Sequence, residues 1–547
     1  NYYCLRHCVF LKFFCQRVFF FKTPDVWSDK LGEELWEISK LITKHGEIKS
    51  GYTSLDTTTK DGENLLDDII KNVEKMFVQK ANSAKCIAKT AEKLRRDTYF
   101  MNDFKLEYYN MKYSAVEGSD SNKMIPWTLD ELTEYKNMSL EPNSNFYNIP
   151  VNTNYSAVHI PTNVYDRYQH LAETIAWSEN LDEIFSKNYQ ADPSLGWQYF
   201  GSAYGMMRQF PAMKWSTSDN DVDLYDCRMR PWFIEAATCT KDIVILMDNS
   251  GSMTGMRNTI AKLVVNSLLK TFGNNDFINV LKFSWKPETV MPCFKDSLVQ
   301  ATPEVLKSFQ EAVSLVKPEG NASFPNAFSY SLNLLKKYRE DRNATNNLGG
   351  CNQAIMLVTD GLPGNVTEVF ENLNLDENGM PIVRIFTYLV GTEVKGVEDL
   401  QQMACNNRGY YVHVHDLDEV HDQVLKYIPV IARPLVLQGK EHPVVWTSTY
   451  ADANTQGEEK NVEYLEYRMM TSVSVPAFDN RDNNETMAAE LLGVAGVDVA
   501  IDHIHSLTYP YKTGTNGYVF LVNNNGYLIM HPDLRPVVII VPTLHKH

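Results

Sequence analysis

The sequence has no C-x-x-C pair, no G-x-x-x-x-G-K-[ST] loop, no G-x-S-x-G or H-E-x-x-H motif, and no run of 18 uncharged apolar residues. The first absence argues against zinc ribbons and thioredoxin-type redox centres. The second removes a phosphate-cradling loop. The third leaves the commonest hydrolase chemistries without their residues, and the 13 His are scattered without ligand spacing, so the chain reads as a binding protein and not an enzyme. The fourth leaves no visible transmembrane helix. Basic charge is also short: 52 Lys and Arg face 68 Asp and Glu, a net charge of −16. Such a surface repels phosphate backbones, so nucleic acid is not an expected partner, whereas divalent cations or a basic protein surface suit it.

What is present is ordinary for folded protein, with 44% hydrophobic and 12% aromatic residues over 547 positions. That length accommodates about three or four domains at roughly 150 residues each. The nine cysteines are Cys4, Cys8, Cys15, Cys86, Cys227, Cys239, Cys293, Cys351 and Cys405. An odd number in an exported protein leaves one thiol free or paired outside the chain. Pairing of Cys227 with Cys239, or Cys351 with Cys405, is compatible with the sequence, which does not fix connectivity. Sequons at Asn137, Asn154, Asn321, Asn343, Asn365 and Asn484 favour export and glycosylation.

Texture divides the chain. Residues 1–24 are apolar but interrupted by Lys12 and Arg17, which departs from a signal-peptide pattern. They read as an atypical leader or a gene-model artefact. Residues 25–110 lack proline through Tyr109, and Leu65, Ile69, Val73 and Met76 recur at helical spacing, predicting a helical segment. Residues 111–238 are aromatic and punctuated by Pro and Asn, a mixed region with long loops. Residues 239–430 are regular: KDIVILMD, DFINVLKFS, QAIMLVTDG and VRIFTYLVG are near-continuous apolar strands separated by helical patterns. That alternation predicts an α/β domain, a doubly wound, mostly parallel sheet covered on both faces. Residues 431–547 read as antiparallel strands with a hairpin turning at Asn523–Gly526, and as a domain cut short.

In open α/β sheets ligands sit beyond the carboxyl ends of the strands. The first strand ends in Asp248-Asn249-Ser250-Gly251-Ser252, and the third ends in Asp360-Gly361. A carboxylate and two hydroxyls at alternate positions, with Gly251 expected to permit the tight backbone, converge with a second carboxylate. Hard cations such as Ca²⁺ and Mg²⁺ take such oxygen ligands. An Asx-turn capping the next helix is the plain alternative for the first motif alone.

With these residues stated, 239–430 resembles a von Willebrand factor A domain, and Asp248, Ser250, Ser252 and Asp360 match its metal-ion-dependent adhesion site. The family's Thr position is taken by Ala322, with Ser323 adjacent as a substitute hydroxyl and Asn321 beginning a sequon beside it. The flanks extend the likeness. DPSLGWQYFGSAYGMMRQFPAMKW, DLYDCRMRPWFIEAAT, ARPLVL, VVWTSTYADA, ELLGVAGVDVAI and NNGYLIMHPDL resemble, in order, the Cache-flanked alpha-2/delta auxiliary subunits of voltage-gated calcium channels. The wording is nearest the type 3 branch, which shares the missing Thr.

That resemblance implies an extracellular, membrane-attached subunit that raises channel surface expression and modulates gating. Its cation accepts an acid from the pore-forming alpha-1 subunit. Cys293 matches the cysteine that links such a subunit to its delta portion. Arg230, Trp232, Tyr225, Asp452 and Asp498 match a Cache pocket for a small amino-acid ligand, although Phe233 and Met229 depart from the pattern of strong drug binders. The resemblance also implies that both termini and the anchor lie outside this sequence. A matrix or cell-surface adhesion protein using the same metal site is the alternative function.

Overall fold

The computed structural model describes residues 24–52, 61–97, 106–116, 133–164, 168–215, 223, 225–238, 240–344, 352–362, 364, 366–392, 394, 396–437, 442–452, 468–479, 490–514 and 517–533. Residues up to Asp68 form one unit, with helices Pro24–Ile42 and His45–Tyr52. The second unit begins at Ile69, inside the long helix Gly62–Asp97. Its expected stripe is realised from Ile69 onward: Ile69, Val73, Met76, Ala84, Ile87, Ala88 and Ala91 are buried.

Two sheets organise the second unit. Strands β1 (Ala157–His159), β2 (Gln198–Ser202) and β3 (Met207–Phe210) precede the regular region. Strands β4 (Lys241–Asp248), β5 (Phe277–Phe283), β6 (Asn352–Thr359), β7 (Arg384–Val390) and β8 (Tyr410–Val414) build it. Strands β9 (Val445–Trp446), β10 (Tyr450–Asp452), β11 (Arg468–Asp479) and β12 (Glu490–Ala500) follow.

The parallel sheet has the order β5-β4-β6-β7-β8, extended beyond β5 by the short antiparallel strand Pro287–Thr289. Alternate residues of β4 enter different cores. Ile243, Ile245 and Met247 pack with Ile260, Val264 and Leu268 of helix Met256–Leu269 on one face. Val244 and Leu246 pack with Phe324, Phe328 and Leu335 of helix Phe324–Ala344 on the other. Burial on both faces is why the strand reads as an unbroken apolar run. Strand β8 (YYVHV) carries exposed Tyr410 and half-buried Tyr411 and His413 at the sheet edge, so it lacks that run.

The second sheet changes the domain division expected from sequence. Its order is β9-β11-β12-β2-β3-β1, with β10 also paired to β11. Strand β12 pairs antiparallel with β2 from Gly493↔Ser202 to Val497↔Gln198. The regions expected as 111–238 and 431–547 therefore contribute to one sheet, and the α/β domain is inserted between its halves. One face of this sheet, through Val158, Phe200, Val473, Val475 and Val497, packs on Ala84, Ile87, Ala88 and Ala91 of the long helix. The other shares a core with helix Pro231–Thr238, which leads directly into β4. The expected hairpin forms: Leu521–Val522 pairs with Leu528–Met530, and Gly526 takes φ +83° in the turn.

Candidate metal centre

Asp248 ends β4, level with Phe283 of β5, and the next residue turns away by donating Asn249 N–H to Phe283 O at 2.9 Å. Asp248 Oδ1 accepts the Ser250 N–H at 2.9 Å and Oδ2 accepts the Thr359 hydroxyl at 2.7 Å. Ser250 Oγ and Ser252 Oγ lie 3.0 Å apart, and Ser252 Oγ donates to Asp360 Oδ1 at 3.0 Å. The two strand ends are thereby joined by the Asp248–Thr359 bond and by the line of oxygens from Ser250 through Ser252 to Asp360. The four residues Asp248, Ser250, Ser252 and Asp360, read from sequence as ligands, are brought together.

The charge of this set points to a cation. Asp248 is only 2% exposed, and among the described residues it receives hydrogen bonds but no ion pair. Burial, and secondarily the charge of Asp360, raise its pKa against the pull of the Ser250 and Thr359 hydrogen bonds. A buried carboxylate without a counter-charge is costly, and an oxygen-ligated divalent cation relieves that cost. The donor set therefore fits Ca²⁺ or Mg²⁺. Among the described residues no group of three or more His, Cys, Asp or Glu gathers as a metal cluster, so the hydroxyls are needed to complete the shell.

The loop carrying Ala322 and Ser323 closes over the motif. Gly251 N–H donates to Gly320 O at 2.8 Å, Glu319 N–H to Asn249 O at 2.6 Å, and Ser323 N–H to Ser284 O at 2.8 Å. Ala322 packs against the hydrophobic core of the second face. The expected role of Gly251 is different in the structure. A Cβ there would meet Gly320 O at an ordinary 3.5 Å, whereas Gly255 and Gly320 carry positive φ of +77° and +81°. The backbone freedom is used after the motif, at Gly255, and in the closing loop, at Gly320. Arg257, which sequence reasoning did not single out, donates Nη1 to Asp360 Oδ2 at 3.1 Å. Its position five residues after Ser252, on the first turn of a helix, was the available signal.

The second candidate set lies at the junction with the flanking sheet. Arg230 is exposed and stacks over the Tyr225 ring at 4.4 Å. Burial, the Cys227 thiol and the charge of Asp498 push Tyr225 up, while Arg230 pulls it down. Asp498 Oδ1 accepts from Tyr199 at 2.7 Å and from Ser472 at 2.6 Å. Trp232 is buried, with its ring 4.6 Å from that of Tyr199, so it is a core side chain beside the set. Asp452 pairs with Arg468 through the backbone, and its side chain lies outside the described residues. Arg228, two residues before Arg230, makes the ion pairs here: a buried one of 2.7 Å to Asp226 and an outer one of 3.0 Å to the more exposed Asp422 of the α/β domain.

Cys227 and Cys405 are free, with Cys227 buried and its thiol pushed up by burial. The internal pairings left open by sequence are therefore not formed by these two; Cys239 and Cys351 lie outside the described residues. Cys293 is free and exposed in the turn Pro292–Phe294, and Cys86 is likewise free and exposed. Asn137, Asn154 and Asn321 are exposed. Asn365, Asn484 and the Asn343 side chain lie outside the described residues, as do Cys4, Cys8, Cys15 and the segment 1–23. No described helix is long and apolar enough to cross a membrane.

Two family models match the chain. The model for the VWA N-terminal family matches residues 90–215, and that for the von Willebrand factor type A domain matches 242–426. The rat protein named voltage-dependent calcium channel subunit alpha-2/delta-3 is 36% identical over 516 residues, 94% of this chain and 45% of its own length. The human subunit alpha-2/delta-4 is 35% identical over 524 residues, 94% and 44% of the two chains. This chain thus spans about half the length of the curated relatives it matches. Among solved structures, a von Willebrand factor type A protein from Catenulispora acidiphila aligns at TM-score 0.30 and 15% identity, covering 48% of this chain and 66% of that one.

Proposed function

The chain belongs with the alpha-2/delta subunits of voltage-dependent calcium channels and carries their von Willebrand factor type A domain, and from that premise we propose that it serves as an auxiliary subunit docking on a pore-forming alpha-1 subunit. The observation that carries this reading is the convergence of Asp248, held by the Ser250 N–H, with the hydrogen-bonded oxygens of Ser250, Ser252 and Asp360. Asp248, Ser250, Ser252 and Asp360 would hold the cation, and Ser323 would be the further hydroxyl of the closing loop. When bound, a divalent cation, Ca²⁺ or Mg²⁺, supplies an open coordination position for an external carboxylate. The residues around it exclude bulk water on the β4 side, where Asp248 and Ser250 are buried, and a charge-assisted contact gains strength in such a setting.

Docking occurs at the extracellular face of the cell membrane, raising channel surface expression and modulating gating, with no catalytic step. Exposed Cys293 forms the disulfide to a delta portion, and the sequon asparagines carry glycans. Arg230 over Tyr225, with Asp498 nearby, takes the carboxylate and ammonium of a small amino acid. The test is co-expression with a pore-forming subunit. Asp248→Ala, Ser250→Ala and Ser252→Ala together are expected to abolish the increase in current and surface density. Unchanged current with intact folding rejects the docking role, and cation-dependent adhesion to matrix in that same protein would favour the alternative.

A further inference from the structure

Arg257 is a permanent cation placed inside a set of residues whose chemistry is to hold a cation. It is the second residue of helix Met256–Leu269, and its Nη1 donates both to Asp360 Oδ2 at 3.1 Å and to Ser252 O at 3.2 Å. The side chain crosses the end of β7 over Gly391, where an added Cβ would stand 3.1 Å from Nε and 3.2 Å from Cγ. Gly391 thus leaves the slot in which the guanidinium lies, and its N–H is fixed by Val414 O at 3.0 Å. Both oxygens of Asp360 are consequently committed, Oδ1 to Ser252 and Oδ2 to Arg257.

We propose that Arg257 sets both the cation affinity and the anion preference of the metal centre, by taking up part of Asp360 and keeping positive charge at the rim. The inference rests on the metal-centre reading above and adds a residue that reading does not use. Its two effects have opposite sign. Toward a divalent cation, Arg257 would be a like charge held on the same carboxylate that weakens what Asp360 can contribute, so affinity is held down. Toward an incoming carboxylate it is a second positive group beside the cation, with a donor fork suited to that shape, so anion affinity is raised. A residue with a purely structural role would lower both when removed.

The experiment titrates the purified full chain with Ca²⁺ by calorimetry, then loads it with Tb³⁺ and adds acetate, reading bound water from the luminescence lifetime. Arg257→Gln is expected to bind Ca²⁺ about tenfold more tightly, a factor equal to about 1.4 kcal/mol. The same variant needs several-fold more acetate to displace water. Arg257→Lys, which keeps the charge, is expected to stay close to wild type in Ca²⁺ affinity. Equal or weaker Ca²⁺ binding by a folded Arg257→Gln overturns the proposal, and Arg257→Met makes the same comparison if the Gln variant does not fold. A wild-type chain lacking saturable Ca²⁺ binding that Asp248→Asn removes overturns the metal centre itself and this inference with it, a result distinct from the first.

Discussion

The parallel sheet and the flanking antiparallel sheet assemble their polar sites by opposite routes. At the end of β4 the linked hydroxyls are two positions apart in the chain, and one strand neighbour supplies the second carboxylate. In the flanking sheet Tyr199 meets Asp498 from 299 positions away, across the whole inserted domain. The first arrangement depends on a tight turn and one parallel pairing. The second depends on β2 and β12 finding each other in register, with glycines at the crossing that leave room for neither error nor side chain. The fold at the metal end is therefore expected to tolerate local change better than the junction does.

The largest break in that comparison is Gly493→Ala. Its Cβ would stand 2.1 Å from Gly201 O and 2.9 Å from the Phe200 ring. Overpacking against backbone is expected to cost about 3 kcal/mol or more, read as a lower urea midpoint. A neutral result would reject the β2–β12 register. Next comes Arg228→Met. It removes the guanidinium from Asp226, 2% exposed, leaving His421 at 3.4 Å; against the opposing effect of burial, the His421 and Arg228 hydrogen bonds together hold Asp226 down at about 2. Removing one partner of a buried pair costs about 3 kcal/mol, whereas Asp422→Asn, at the 42% exposed outer partner, is expected to cost under about 1 kcal/mol. Similar losses from both would show that the outer pair also bears on the junction.

A third test uses pH. Burial, with the charge of Asp276 adding and that of Lys241 opposing, raises Glu235 from 4.5 to about 7. The folded state then holds a proton that the unfolded chain releases, so stability falls as pH rises from about 4.5 to about 7 and levels above. Glu235→Gln imitates the protonated form. At pH 8 it is expected to be more stable than wild type by roughly 1–2 kcal/mol after allowance for partial exposure, and near parity at pH 5. A gain independent of pH in thermal melting would remove Glu235 as the cause. The smallest effect is Gly251→Ala, whose Cβ meets only an ordinary contact. It is expected to cost under about 1 kcal/mol and to retain Ca²⁺ binding, and a large loss there would return the turn's strain to Gly251.

These contrasts also explain what could be read in advance. Asp248, Ser250, Ser252 and Asp360 were legible because short-range spacing and strand ends carry their geometry. So were four of the five parallel strands, whose residues are buried on both faces. Strand β8 was not, since exposed Tyr410 and half-buried His413 on the edge dilute the apolar signal. The shared sheet was illegible for a different reason: no local pattern in GWQYFGS reports that its partner is ELLGVAGVDVA. Trp232 reads as a pocket wall by motif and is a core side chain by packing. Arg257 was hidden because one Arg at a helix start has no signature until Asp360 is seen opposite it.

The pairing of β2 with β12 also has a consequence in time. Roughly 290 residues separate Ser202 from Glu490, and at ~5–20 residues per second of synthesis the interval is roughly 15–60 s. Throughout it, β2 stands on the ribosome-borne chain with one edge unpaired, and the metal-bearing domain gains its full sequence only towards the end, after its last strand Tyr410–Val414. Unpaired edges recruit other strands. The nascent chain thus passes through a stage with one open strand edge, and a slower rate of translation lengthens that stage.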